Sequence, residues 1–158
     1  MQKLCVIPCG KRKIWDKYPN AGAVKAEKAY TGIFRQLTLA YAEKFFLQNV
    51  TISAKHGFLL PDDLIFENYD LTFHKSNPEV ITTDRLKGQL KEKQLDHFKH
   101  IIVLTGKKYQ PIMEEVFDQA DLIEYPLLGT RGIGDMQRRL KKSILYGQPI
   151  HTEKGGIR

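Results

Sequence analysis

Leu4-Cys5-Val6-Ile7-Pro8-Cys9-Gly10 is a short apolar run that stops in a small, glycine-containing turn. The ending recurs in Val50-Thr51-Ile52-Ser53-Ala54-Lys55-His56-Gly57, in Ile101-Ile102-Val103-Leu104-Thr105-Gly106, and in Leu122-Ile123-Glu124-Tyr125-Pro126-Leu127-Leu128-Gly129. A run apolar throughout suits a strand buried on both faces. The strands are placed at Lys3–Ile7, Asn49–Ala54, His100–Thr105 and Asp121–Tyr125, with helical patterning between them. Strands alternating with helices specify a parallel sheet covered on both faces. The expected fold is a three-layer α/β/α domain on a mainly parallel four-stranded sheet. In open α/β sheets ligands bind outside the carboxyl ends of the strands. Four such ends carrying Cys, Ser, Lys, His, Thr and Gly predict one composite site.

Helical patterns begin near Ala23 and again after Thr31, where Ile33, Phe34, Leu37, Tyr41 and Phe45 share a face. Further helices are expected from Asn77-Pro78 to about Phe98, over Tyr109–Gln119, and over Asp135–Tyr146 with Met136, Leu140 and Ile144 inward. Lys55–Ser76 reads as a long loop without periodicity, and long structured loops are usually functional. One domain is expected over residues 1–148, with a frayed or partner-dependent tail over 149–158.

The chain of 158 residues is long enough for one real core, and its 42% hydrophobic content is that of a folded protein. No apolar run approaches the roughly 20 residues of a membrane helix. No signal-peptide layout is visible, so cytoplasmic residence is the expectation. Cys5 and Cys9, four residues apart on an extended strand, lie roughly 13 Å from each other, too far for a disulfide. No Cys/His spacing indicates zinc, and neither a metal nor a cofactor is expected; Asp62, Asp63 and Asp70 retain the option of weak Mg²⁺ binding through water. The net charge of +7 is uneven. Residues 1–35 carry eight Lys/Arg against two Asp/Glu, residues 131–158 seven against two, and the middle is net acidic. Two basic ends suit an anionic partner, nucleic acid or nucleotide, or serve only as a solubility surface.

Each strand end has a functional and a structural reading. After the first strand, the backbone N–H groups of the turn, with Lys11, Arg12 and Lys13, suit an anion. Cys9 beside them is either a nucleophile with a depressed pKa or a small buried residue. After the second, Lys55 and His56 supply a cation and a general acid/base or form a solvated turn, and Gly57 permits a backbone conformation that other residues resist. Asp70 orients His56, binds a base edge, activates water, or caps its own turn. Gly132 and Gly134 precede a basic helix and suit a phosphate, although the spacing is neither the dinucleotide fingerprint nor a P-loop; Gln137 is placed to read a base edge. Trp15, Tyr18 and Tyr30 stack on bases or merely pack.

The run Ser53–Ile65, with Tyr69-Asp70, Cys9-Gly10-Lys11-Arg12-Lys13, Tyr30, Pro126-Leu127-Leu128-Gly129, Gly132-Ile133-Gly134 and Gln137, resembles a group of uncharacterised bacterial and phage domains. The group's pattern is serine-alanine-lysine-tyrosine-glycine-leucine-leucine, proline-aspartate and a tyrosine-aspartate pair. His56 departs from it where tyrosine is favoured. The motif is similar, more loosely, to the YaaA peroxide-stress family and to the uracil-DNA glycosylase-like domain of archaeosine synthase. That resemblance implies a uracil-DNA glycosylase-like fold and a nucleic acid or nucleobase partner. The expected function is an enzyme acting on a nucleobase, nucleotide or nucleic acid, cleaving or modifying a base–sugar unit. Lys11 and Lys13 then hold phosphate, Ser53 and Lys55 shape the pocket with Tyr69, His56 and Asp70 carry protons, and Gly132 and Gly134 donate N–H groups. The alternatives are a non-catalytic nucleic-acid-binding protein of stress or phage defence, and a small-metabolite enzyme.

Overall fold

The computed structural model describes residues 2–73 and 77–152. In chain order the elements are β1 (Lys3–Pro8), α1 (Ile14–Lys17), β2 (Val24–Lys25), α2 (Ala26–Ala29), α3 (Ile33–Phe45), β3 (Gln48–Ser53), β4 (Gly57–Leu59) and β5 (Leu64–Ile65), followed by α4 (Thr83–Glu92), β6 (His100–Val103), α5 (Gln110–Val116), β7 (Leu122–Glu124) and α6 (Ile133–Tyr146). The main sheet runs β4-β3-β1-β6-β7. β3, β1, β6 and β7 are parallel, and β4 pairs antiparallel with β3 at one edge. The sheet is therefore five-stranded and mixed, which corrects the expectation of four strands. β2 and β5 form a separate antiparallel pair.

Burial explains the layers. β1 is buried from Leu4 on, as a central strand covered on both sides must be. One face, with Leu4, Val6, Val50, Ile52, Ile101 and Val103, packs against α4 and α5 through Leu86, Leu90, Met113 and Val116. The other, with Cys5, Ile7, Ile102 and Leu104, packs against α3 and α6 through Leu39, Ala42 and Leu140. Met136 and Ile144 flank Leu140, as the helical spacing requires.

The loop expected over 55–76 departs most, and residues 74–76 of it lie outside the described residues. Gly57-Phe58-Leu59 folds back as β4 because Phe58 fills the core and Gly57 turns at φ +71°. The Gln89 side chain covers β4's outer edge: its Oε1 accepts from Phe58 N at 2.8 Å and its Nε2 donates to the His56 carbonyl at 2.9 Å. A side-chain amide thus takes the place of a further strand. The helix expected from Asn77 starts at Thr83, because Thr82 caps it by accepting from Arg85 N at 3.1 Å. The expected tail is tied down as far as Thr152, whose N–H and hydroxyl bond Glu124 on β7, while Ile150 N–H donates to the Tyr41 hydroxyl at 2.9 Å; residues 153–158 lie outside the described residues.

A Cβ at Gly57 would sit 2.1 Å from Gln89 Oε1 and 2.6 Å from Ile81 Cδ1, at a φ that alanine resists. Gly57→Ala is expected to cost about 3 kcal/mol, from left-handed backbone plus loss of the Gln89 bonds. Urea unfolding reads this directly; a cost under about 1 kcal/mol would show that β4 does not depend on that amide.

Candidate functional site

β1 and β3 are neighbours in the sheet, so the turns that leave their carboxyl ends meet. Gly10 sits at φ +85° and swings the chain so that Cys9 stays buried while Lys11 and Arg12 face solvent. Lys13 turns back inside: its side chain is buried, and its Nζ donates to the Lys11 carbonyl at 3.0 Å and lies 4.4 Å from the Tyr69 ring centroid. From the β3–β4 turn, Lys55 Nζ lies 5.6 Å from the same ring, and the His56 ring meets Tyr69 edge-on at 4.9 Å. Tyr69 comes from the long loop and rests on Tyr30. Lys11, Asp16, Asn68, Tyr69 and Asp70 line the cleft above, about 340 Å³ in volume.

The hydroxyl hydrogens can be placed by counting. Ser53 Oγ accepts from Lys55 N at 3.2 Å and His56 N at 3.1 Å, which fills both lone pairs. Its proton therefore donates to the Tyr69 oxygen at 2.8 Å. The buried Tyr30 hydroxyl is also bonded to Tyr69, and with Ser53 saturated its proton has only Tyr69 to go to. The Tyr69 oxygen thus accepts twice, and its own O–H has the Cys9 sulfur within reach.

Charge in this cluster is one-sided. Lys13, Lys55 and Arg35 gather around two phenols, and among the described residues none of the three cations bonds a carboxylate. Burial holds the Tyr30 phenol far above its ordinary range and pushes Tyr69 up to about 12, so both stay neutral at physiological pH. Burial also raises the Cys9 thiol, although Lys13, the Gly10 N–H and Arg35 pull the other way. Cys9 is therefore a protonated, enclosed thiol, which weighs against a nucleophile. Burial first, then the Lys55 charge, lowers the His56 pKa, so the imidazole is neutral near pH 7. Among the described residues its Nε2 is buried without a hydrogen-bond partner, as is the hydroxyl of Thr105 just beyond β6.

Cys9, Lys13, Tyr30, Ser53, Lys55, His56 and Tyr69 come together as the sequence suggests. Tyr30 is fully buried, so its ring supports Tyr69 rather than stacking on a base. Trp15 is buried too and donates its indole N–H to the Gly22 carbonyl at 2.8 Å. Asp70 is exposed at the cleft mouth and makes no hydrogen bond to His56. Asp62 pairs with Lys25, and Asp63 with Lys93, at 3.3 and 2.7 Å. Gly132 caps α6 beyond β7, two strands from β1, or about 10 Å at the usual strand spacing. Gly134 and Gln137 line a different groove, on α6 itself. The single composite site therefore divides into a cluster at β1 and β3 and a basic helix at the far edge.

Arg35 is the residue that sequence reading passes over. It is 2% exposed, and its guanidinium donates to the Pro8 carbonyl at 3.1 Å, Thr51 Oγ1 at 2.6 Å and the Ala26 carbonyl at 3.2 Å. The guanidinium carbon lies 5.2 Å from the Tyr30 centroid. Burial lowers its pKa to about 10, which leaves it charged at neutral pH. A signal was present: Arg35, Thr38, Leu39 and Ala42 have the spacing of one buried helical face. Arg35→Met strands three buried acceptors and is expected to cost about 4 kcal/mol in urea unfolding; a loss below about 1 kcal/mol would mean that Arg35 is not the strut of this site.

The curated relative "Uncharacterized protein YfjM" of Bacillus subtilis (strain 168) is 45% identical over 144 residues, covering 91% of this chain and 96% of that one. A solved structure titled "Crystal structure of AF0587, a protein of unknown function" aligns at a TM-score of 0.45 with 18% identity, over 90% of this chain and 44% of that one, so the chain spans under half of its length. The family model described as "Family of unknown function (DUF6884)" matches residues 4–142. With nearly its whole length matched, the chain belongs to the DUF6884 family.

Proposed function

We propose that the chain is an enzyme acting on a nucleobase-containing substrate, and that it cleaves or modifies the bond between base and sugar at the cluster between β1 and β3. The carrying observation is the juxtaposition at Tyr69, which lines the cleft: its phenol O–H, two lysine ammonium groups against its ring, and the His56 imidazole alongside, whose Nε2 has no partner among the described residues. Cleaving a base from a sugar breaks the C1′–N bond and leaves the electron pair on the base. Negative charge then develops on the base and positive charge on the sugar. The Tyr69 O–H, Lys13 and Lys55 suit the first charge. Asp70, exposed beside Lys11 at the cleft mouth, suits the second, and water bonds to C1′. His56, neutral at pH 7, takes the proton from that water; the leaving base takes a proton from solvent and His56 later returns its own to solvent, so the net change is one water added across the C1′–N bond. Lys11 at the rim suits a substrate phosphate. The motif's likeness to YaaA and to the uracil-DNA glycosylase-like domain of archaeosine synthase supports the same ligand class and a related fold. No helix is long and apolar enough to cross a membrane among the described residues.

The second reading is a nucleic-acid-binding protein without catalysis, favoured by the un-ionised Cys9 and by the missing bond between His56 and Asp70.

The test is base release, followed by chromatography, from nucleosides, nucleotides and oligonucleotides. Tyr69→Phe and Asp70→Asn are each expected to lower turnover by roughly 10²-fold or more while binding changes little. Binding without any released or altered base would favour the second reading.

Protonating His56 removes the acceptor. Its pKa lies below 6.5 in the folded protein, so turnover should be flat above pH 6.5 and fall at lower pH as the folded value is crossed. Stability has the same sign: the unfolded chain binds the proton more readily, so stability falls with pH from about 6.5 down to the folded pKa. His56→Gln should remove the acid limb, and an unaltered limb would rule His56 out as its source.

A further inference from the structure

We infer that the outer face of α6 is a track for a single strand of nucleic acid, which makes the preferred substrate a polymer rather than a free nucleotide. The inference rests on the nucleobase-directed reading above. Two independent features of the helix point there. The first is charge. Arg138, Lys141 and Lys142 line a groove of about 420 Å³ with Gly134, Gln137 and Leu145. The only acid on α6 is Asp135, and it is consumed locally by Arg131 N–H, Arg138 and Arg139. Lys141 and Lys142 have no carboxylate within ion-pair distance among the described residues. Lys44 of α3 comes close to Gly147 at the end of the helix.

The second feature is apolar surface that folding leaves uncovered. Leu145 is 75% exposed and Tyr146 is 65% exposed, both beside the lysines. Aromatic and aliphatic surfaces interleaved with cations form the platform on which unpaired bases stack while phosphates are neutralised. A second copy of the chain does not fit this face, because a two-fold contact would set the same cations against each other. Geometry favours a strand leading into the site. α6 runs about 21 Å at 1.5 Å per residue. Its first residues leave the same end of the sheet as the β1 and β3 turns. A strand lying along α6 would continue across the β6 end toward Tyr69.

The experiment is fluorescence anisotropy with a labelled single-stranded oligonucleotide of about 15 nucleotides. It is run across a salt series beside a duplex, mononucleotides and phosphatidylserine vesicles. Wild-type protein should bind the single strand best, with a log–log salt slope near −0.7 per phosphate, or about −2 for three contacts. Replacing Arg138, Lys141 and Lys142 by Gln should flatten that slope by about 2 and leave mononucleotide binding and the melting temperature unchanged. Tyr146→Ala should weaken single-strand binding roughly tenfold with the slope intact. If mononucleotides bind but the triple variant keeps the wild-type slope, the track is wrong and the nucleobase reading stands. If wild-type protein binds neither nucleotides nor oligonucleotides, both fail. Preferential vesicle binding, lost in the triple variant, would overturn the track in favour of an anionic membrane surface.

Discussion

The buried guanidinium of Arg35 is the constraint on which the rest of the site depends. It joins the last residue of β1, the middle of β3 and the start of α2, and so ties α2 to two strands that the sheet already pairs. Among the described residues no carboxylate hydrogen-bonds to it. Two carbonyl oxygens, one hydroxyl and the face of Tyr30 offset the loss of hydration. A lysine in the same place has one compact charge and cannot reach three acceptors in different directions, whereas the planar fork can. With Pro8 and Ala26 held to the same group, the Cys9-Gly10 turn and Tyr30 keep a fixed relation. Tyr69 is then positioned by Tyr30 and Ser53 together.

A second constraint comes from the β4 return. Because Gly57 folds back against β3, Ala54-Lys55-His56 becomes a tight turn whose N–H groups both point at Ser53. Those two bonds saturate the serine and so decide which way the phenol protons face. The orientation of the Tyr69 O–H therefore traces to a hairpin at the sheet edge and to an amide on α4 that closes that edge. Changes at Gly57 or Gln89 act on the cleft without touching it.

The parallel strands and their polar ends were legible because a doubly covered strand must be apolar at every position, and Leu4–Ile7, Val50–Ile52 and Ile101–Leu104 satisfy that without ambiguity. Ser53, Lys55, His56 and Tyr69 were legible as a cluster for the same reason: they follow directly from a strand end or from the loop beyond it. β4 was not, since three residues are too few to show a period of two, and its pairing partner on the outer edge is a side chain. β2 and β5, two residues each, leave no periodic trace either. Tyr30 reads either as a base-stacking or as a packing aromatic, and local pattern does not decide between them; the bridge between Lys13 and Tyr30 helps to bury it. The separation of Gly132 from the β1 turn depends on strand order, which local patterns do not encode.

Among the described residues no carboxylate pairs with Lys13, Lys55 or Arg35, and this has a consequence for any occupant of the cleft. Lys13, Lys55 and Arg35 repel one another, and the cluster stands because each is anchored by oxygens or aromatic faces rather than neutralised. An incoming anion supplies the missing charge and relieves that repulsion, so binding and local stability are linked in the same direction. A neutral ligand gains only the Tyr69 O–H and contact with the rings. On the function proposed above, the cluster would discriminate by charge before shape, and a substrate whose negative charge grows during the reaction would be held more tightly at the barrier than at rest.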